Sequence, residues 1–134
     1  MIELPRDYCI KGVLFDFDGT LTRPFAIDFQ AIKAAIGCPP DQTILEFIAG
    51  IDDESQRRES QAILHNHELE AAARSLPHHG AEDLIRFIKA QGLPVGILTR
   101  NRLASIERTL ENFNRADRSD FDLIITRYDT VEPK

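Results

Sequence analysis

The apolar and polar positions of this chain fall into two rhythms, one of strands and one of helices. Residues 10–16 are an apolar run closed by an Asp and a turn signal, which fits a buried strand better than a helix. A turn or hinge follows at 19–24. Residues 27–36 predict a helix with Phe29, Ile32, Ala35 and Ile36 on one face and Gly37 as its stop. Pro39-Pro40-Asp41 interrupts the chain, and Ile44, Leu45 and Ile48 then carry a second helix. Beyond a turn at 50–53, residues 54–75 predict one long polar helix, its apolar stripe being Leu69, Ala72, Ala73 and Leu76. Residues 81–91 are a further helix, with Glu82 and Asp83 in the first turn and Gly92 as the stop. Residues 95–99 and 122–126 are strands. Between them Asn101 is placed to cap a helix whose Leu103, Ile106, Leu110 and Phe113 face inward.

Strands alternating with helices predict an α/β protein with a parallel sheet. The segment after the first strand is too long for one crossover, so it is expected to be a small helical insert.

Composition narrows the function classes. The chain has 134 residues and a formal charge of −6, a poor balance for binding nucleic acid, where affinity comes from Lys and Arg on phosphates. No window approaches a membrane span, and residues 1–7 lack the apolar core of a secretory signal. Cys9 and Cys38 have neither metal spacing nor the numbers for a disulfide framework, and read as reduced cytoplasmic thiols. His65 and His67 stand two apart on a helix and so point to different sides, and His78 and His79 sit in a Pro-Gly turn. Arg57 and Arg58 read as a solvated helix face.

Candidate chemistry gathers at the strand ends. Asp16 and Asp18 end the first strand, Thr99 ends the second, and Lys134 lies a few residues past the third. In an open parallel sheet these positions converge on the edge where ligands bind. Two carboxylates so close need a cation or a shared proton. A hydroxyl before a helix N-terminus and a Lys both suit phosphate. A calcium loop does not fit, because the twelfth position from Asp16 is Ile27 rather than Glu.

Here the chain resembles the haloacid dehalogenase superfamily, specifically its phosphoglycolate phosphatase-like members with an inserted helical cap. The first motif, Asp-x-Asp-x-Thr, stands as Asp16-Phe17-Asp18-Gly19-Thr20. The second, a Ser or Thr after an apolar strand, matches Gly96-Ile97-Leu98-Thr99-Arg100-Asn101. The third, a Lys often followed by Pro, matches Glu132-Pro133-Lys134. The resemblance implies a three-layer Rossmann-like core formed by 1–23 and 78–134, with 24–77 as the cap. It implies Asp16 as the nucleophile that forms an aspartyl-phosphate, which suits a carboxylate because one with a pKa of about 3.9 needs no activating base. Asp18 would be the acid that protonates the leaving group and then the base that activates water. Asp16 and Asp18 would also hold Mg²⁺, the first through its side chain and the second through its carbonyl. Thr99 and Lys134 would grip the phosphoryl group, with Thr20, Arg23, Arg100 and Asn101 as further substrate contacts.

The implied function is a Mg²⁺-dependent, cytoplasmic phosphatase of a small phosphorylated metabolite, with neither nucleic acid nor membrane as partner. A sugar-phosphate mutase would share the same residues, and a non-catalytic phospho-accepting or binding fragment is the third reading. The family's fourth, acidic motif would fall beyond Lys134, so the core is expected to be incomplete at the C-terminus and the natural protein to continue. Its absence would leave an apolar edge on the first strand. In the cap, Asp52 and Asp53 on the 50–53 turn are expected to select the substrate.

Overall fold

The computed structural model describes residues 8–24 and 27–127. Three short parallel strands form the sheet: β1 (Val13–Phe15), β2 (Val95–Leu98) and β3 (Leu123–Ile125), in the order β1-β2-β3. Between β1 and β2 run α1 (Phe29–Ile36), α2 (Ile44–Ala49), α3 (Glu54–Arg74) and α4 (Ala81–Ala90), and α5 (Leu103–Leu110) joins β2 to β3. Val13 pairs with Val95 and Phe15 with Ile97, while Gly96 pairs with Leu123 and Ile97 with Ile124.

That register assigns the two faces of the sheet. Val13, Phe15, Val95, Ile97 and Ile124 point to one side. They pack with Ile85 and Ile88 of α4 and with Ile106 and Leu110 of α5. Both crossovers step the same way along the sheet, and right-handed connections then place both helices on one face. The opposite face carries Leu14, Leu98 and Leu123, each about half exposed (51%, 49% and 52%). Gly96 sits under them, where a Cβ would stand 3.0 Å from Leu14 Cδ1 and 3.1 Å from the Leu123 carbonyl. The first strand is thus shorter than the expected 10–16 and buried on one side only, with Ile10 57% exposed.

The insert has its own apolar cluster, Ile32, Ile44, Ile48 and Leu64, one or two residues from each helix. Asp28 caps α1 by accepting from the Ala31 N–H (3.1 Å), and Gly37 ends the helix at φ 75°. The buried stripe of α3 is Ser60, Leu64, Glu68, Ala71 and Ala72, rotated from the expected Leu69-Ala72-Ala73-Leu76 face. The reason is α5. Its neighbour Asn112 donates from Nδ2 to the carbonyls of Ala72 (3.1 Å), Ala73 (3.2 Å) and Ser75 (2.8 Å), satisfying the end of α3 and turning its small residues inward. Phe29 and Leu103, both expected to face inward, are 57% and 42% exposed. Both open their helices, at the rim of the packed face.

The two passes of chain between insert and sheet are tied together. Thr22 and Pro77 form an antiparallel bridge, the Arg23 N–H donates to the Leu76 carbonyl (2.9 Å), and the His78 N–H donates to the Leu21 carbonyl (2.8 Å).

Candidate active site

Asp16 and Asp18 are exposed, and Phe17 between them is fully buried and stacks on Phe113 with ring centroids 6.5 Å apart. Burying the middle residue of the three anchors the loop and leaves both carboxylates outside the core. The Thr20, Leu21 and Thr22 N–H groups all donate to the Phe17 carbonyl (3.1, 2.9 and 3.3 Å), and the Gly19 N–H donates to Thr22 Oγ1 (3.1 Å). Thr20 Oγ1 in turn donates to Asp16 Oδ2 (3.2 Å). The motif's threonine therefore orients the first carboxylate.

Residues after β2 meet this loop. The Thr99 N–H extends the ladder to the Ile125 carbonyl (2.9 Å), and Thr99 Oγ1 accepts from the Asn101 N–H (3.1 Å). The Asn101 side chain does not cap α5 as expected. The N-cap is Arg102, without a side-chain bond, and Asn101 stands one residue before it: its Oδ1 accepts from the Arg102 N–H (2.8 Å) while its Nδ2 donates to Asp18 Oδ2 at 3.1 Å. The pKa of Asp18 is raised above its usual 3.8. Although Asp18 keeps access to the surface, partial loss of water around its carboxyl is the main cause, opposed by the Asn101 hydrogen bond and aided by the negative charges of Asp16 and Glu68. That direction favours a protonated Asp18, which a proton donor needs.

Two residues that the sequence reading passed over complete the surroundings. Glu68 of α3, 5% exposed, accepts from the two terminal guanidinium nitrogens of Arg127, just past β3, at 3.1 and 3.3 Å. The Arg127 N–H donates to the Asn101 carbonyl (3.1 Å), so insert, β3 and β2 are linked beside Asp18. Burial raises the pKa of Glu68, and the charge and hydrogen bonds of Arg127 oppose that rise. One sequence signal was available: Glu68 lies four residues from Leu64 and from Ala72 on a helix, a charge within an apolar row.

A cavity of about 450 Å³ opens between this floor and the insert. Asp18, Asn101, Arg100, Glu68 and Arg127 line its polar side, and α1, α2 and α3 line the other. A neighbouring cavity of about 510 Å³ takes in Thr99 and Thr126. Arg23 does not reach either lining; it stands exposed at the tied hinge. Asp53 and Asp52 do not line them either. Asp53 caps α3 by accepting from the Gln56 N–H (3.0 Å). Lys134 lies outside the described residues.

Among the described residues, no three or more His, Cys, Asp or Glu side chains gather as a metal cage. The available donors are hard oxygens of Asp16 and Asp18. They fit Mg²⁺, which binds one or two carboxylates and keeps water and phosphate oxygens for the rest of its shell.

A family model described as haloacid dehalogenase-like hydrolase matches residues 10–134. An uncharacterized hydrolase of Saccharomyces cerevisiae is 34% identical over 119 residues, covering 88% of this chain and 55% of that protein. The N-acetylmuramic acid 6-phosphate phosphatase of Pseudomonas aeruginosa is 30% identical over 128 residues, covering 82% of this chain and 57% of that one. The chain thus spans a little over half the length of these relatives. Among solved structures, a haloacid dehalogenase-like hydrolase from Bacteroides fragilis superposes with a TM-score of 0.68 at 20% identity, over 91% of this chain and 65% of the other, a likeness of fold.

Proposed function

The chain belongs to the haloacid dehalogenase-like hydrolase family, and from that premise we propose that it serves a Mg²⁺-dependent phosphatase of small phosphomonoesters. The observation that carries this reading is the difference in setting between the two motif carboxylates. Asp16 accepts from Thr20, whereas Asp18 is drawn toward the protonated form and held by Asn101 at the mouth of a cavity.

In the proposed cycle, an Asp16 oxygen bonds to phosphorus as the ester O–P bond breaks. Asp18 gives its proton to the departing oxygen, which leaves as an alcohol. The Asp18 carboxylate then takes a proton from water. The resulting hydroxide attacks phosphorus, and phosphate departs as Asp16 is restored. Mg²⁺, held by Asp16 and the Asp18 carbonyl, would neutralise charge on the transferring group. Thr99 and Lys134 are assigned to the phosphoryl oxygens, with Thr20, Arg100 and Asn101 as positioning contacts; Arg23 is assigned to the hinge. We divide the chain into a sheet-bearing core, 1–23 and 78–134, and a cap, 24–77. The phosphatase relative named above acts on a phosphorylated small molecule, which supports the same class of substrate here. Two free thiols suit a reducing cytoplasmic setting.

The test is phosphate release from a panel of phosphomonoesters with Mg²⁺ present. Turnover is expected for the wild type and none for Asp16→Asn, whose amide cannot attack phosphorus. Turnover by Asp16→Asn close to wild type would overturn the covalent route.

A further inference from the structure

Among the described residues, Phe29 is not part of either packed core. It opens α1, yet the insert closes its core through Ile32, Ile44, Ile48 and Leu64 without it. The ring stays 57% exposed and lies in the lining of the cavity that contains Asp18. Ile27 and Leu45, both half-buried, stand in the same lining. Among the described residues the insert's share of the lining is therefore mostly apolar and includes the open Phe29 ring, with Thr43, Lys33 and Glu68 as its polar members. The cation on that side, Lys33, has its ammonium on the Pro40 carbonyl at 2.8 Å, and Arg127 is held by Glu68. The cavity volume, about 450 Å³, lies in the range of sites for compounds larger than a two- or three-carbon alcohol.

We propose that Phe29, with Ile27 and Leu45, forms a leaving-group subsite for phosphomonoesters whose alcohol presents an apolar face about the size of a six-membered ring. The proposal rests on the phosphatase reading, since Asp18 would protonate the oxygen of the group seated there. Phe29 is a specificity residue: it holds the group that leaves and takes no part in bond making. A contact of this kind acts alike on bound substrate and transition state, so its loss raises KM and leaves kcat nearly unchanged.

Two measurements separate this idea from the phosphatase reading. In the first, calorimetry compares cyclohexylmethylphosphonate, which cannot be hydrolysed, with methylphosphonate. The wild type is expected to bind the ring compound about tenfold more tightly. Phe29→Ala is expected to lose most of that preference, and Phe29→Leu to keep part of it. In the second, kcat/KM is compared for cyclohexylmethyl phosphate and glycerol 1-phosphate, two primary alkyl esters that differ in apolar surface. Phe29→Ala should lower the first about tenfold through KM and change the second less than twofold. Equal affinity for the two phosphonates overturns the subsite, and so does equal loss on both esters. Discriminating binding without hydrolysis of any ester would keep the subsite and overturn the phosphatase reading.

Discussion

Replacing Arg127 by Met would strip Glu68 of its hydrogen-bonded counter-charge, leaving only the weaker effect of Arg102, while keeping most of the side-chain volume. The two guanidinium contacts, 3.1 and 3.3 Å, are made by side chains only 15% and 5% exposed, so solvent screens the pair little. Exposed ion pairs are worth about 0–1 kcal/mol, but removing one partner of a buried pair costs about 3–5 kcal/mol because the other charge stays buried. The buried case applies here, and because Arg102 still acts on Glu68 the cost is expected at the lower end, about 3 kcal/mol.

Its pH dependence has a definite sign. Burial already raises Glu68 above its ordinary 4.5; Arg127 is the main group that opposes the rise, with a smaller contribution from the charge of Arg102. Losing Arg127 moves the folded-state value higher still. Between 4.5 and the raised value the folded state binds more protons than the unfolded one, so stability falls as pH climbs through that window. The variant's deficit is therefore expected in full near neutral pH and should shrink below 4.5, where Glu68 is protonated in both states. Urea unfolding at both pH values measures this. Glu68→Leu in the Arg127→Met background should recover most of the loss by removing the stranded carboxylate. A deficit under about 1 kcal/mol at neutral pH, or one that grows on acidification, would refute the reasoning.

Two further outcomes follow from the site. Asn101→Ala removes the hydrogen bond that lowers Asp18, so Asp18 should hold its proton to higher pH and the alkaline limb of kcat/KM should move upward; a limb that stays or moves to lower pH would show that this amide does not tune the acid. EDTA should abolish phosphate release and added Mg²⁺ restore it, as expected for an oxygen-donor site at Asp16 and Asp18; full activity in EDTA would remove the metal from the proposal.

The linear sequence determined the class of fold and the first half of the site because both rest on local pattern. The apolar run of β1, the Asp-x-Asp-x-Thr turn and the order of helices and strands are properties of adjacent residues, and each element stands within a few residues of its expected place. Convergence of Asp18 with Asn101 was legible in principle, since a parallel sheet brings its strand ends to one edge. The direction of the Asn101 side chain was not. Its amide serves two partners at once, Oδ1 accepting from the Arg102 N–H and Nδ2 donating to Asp18, and only the approach of the two loops across the sheet edge brings Asp18 within reach. The face of α3 was settled in the same way. Leu69 and Leu76 outrank Ser60 and Glu68 in hydrophobicity, but Asn112 binds the carbonyls at the end of α3, and Arg127 provides the charge that lets Glu68 be buried. Tertiary structure also left Leu14, Leu98 and Leu123 half exposed on a sheet that the sequence reads as buried. Burial depends on where the crossover helices lie, and here both lie on the other face.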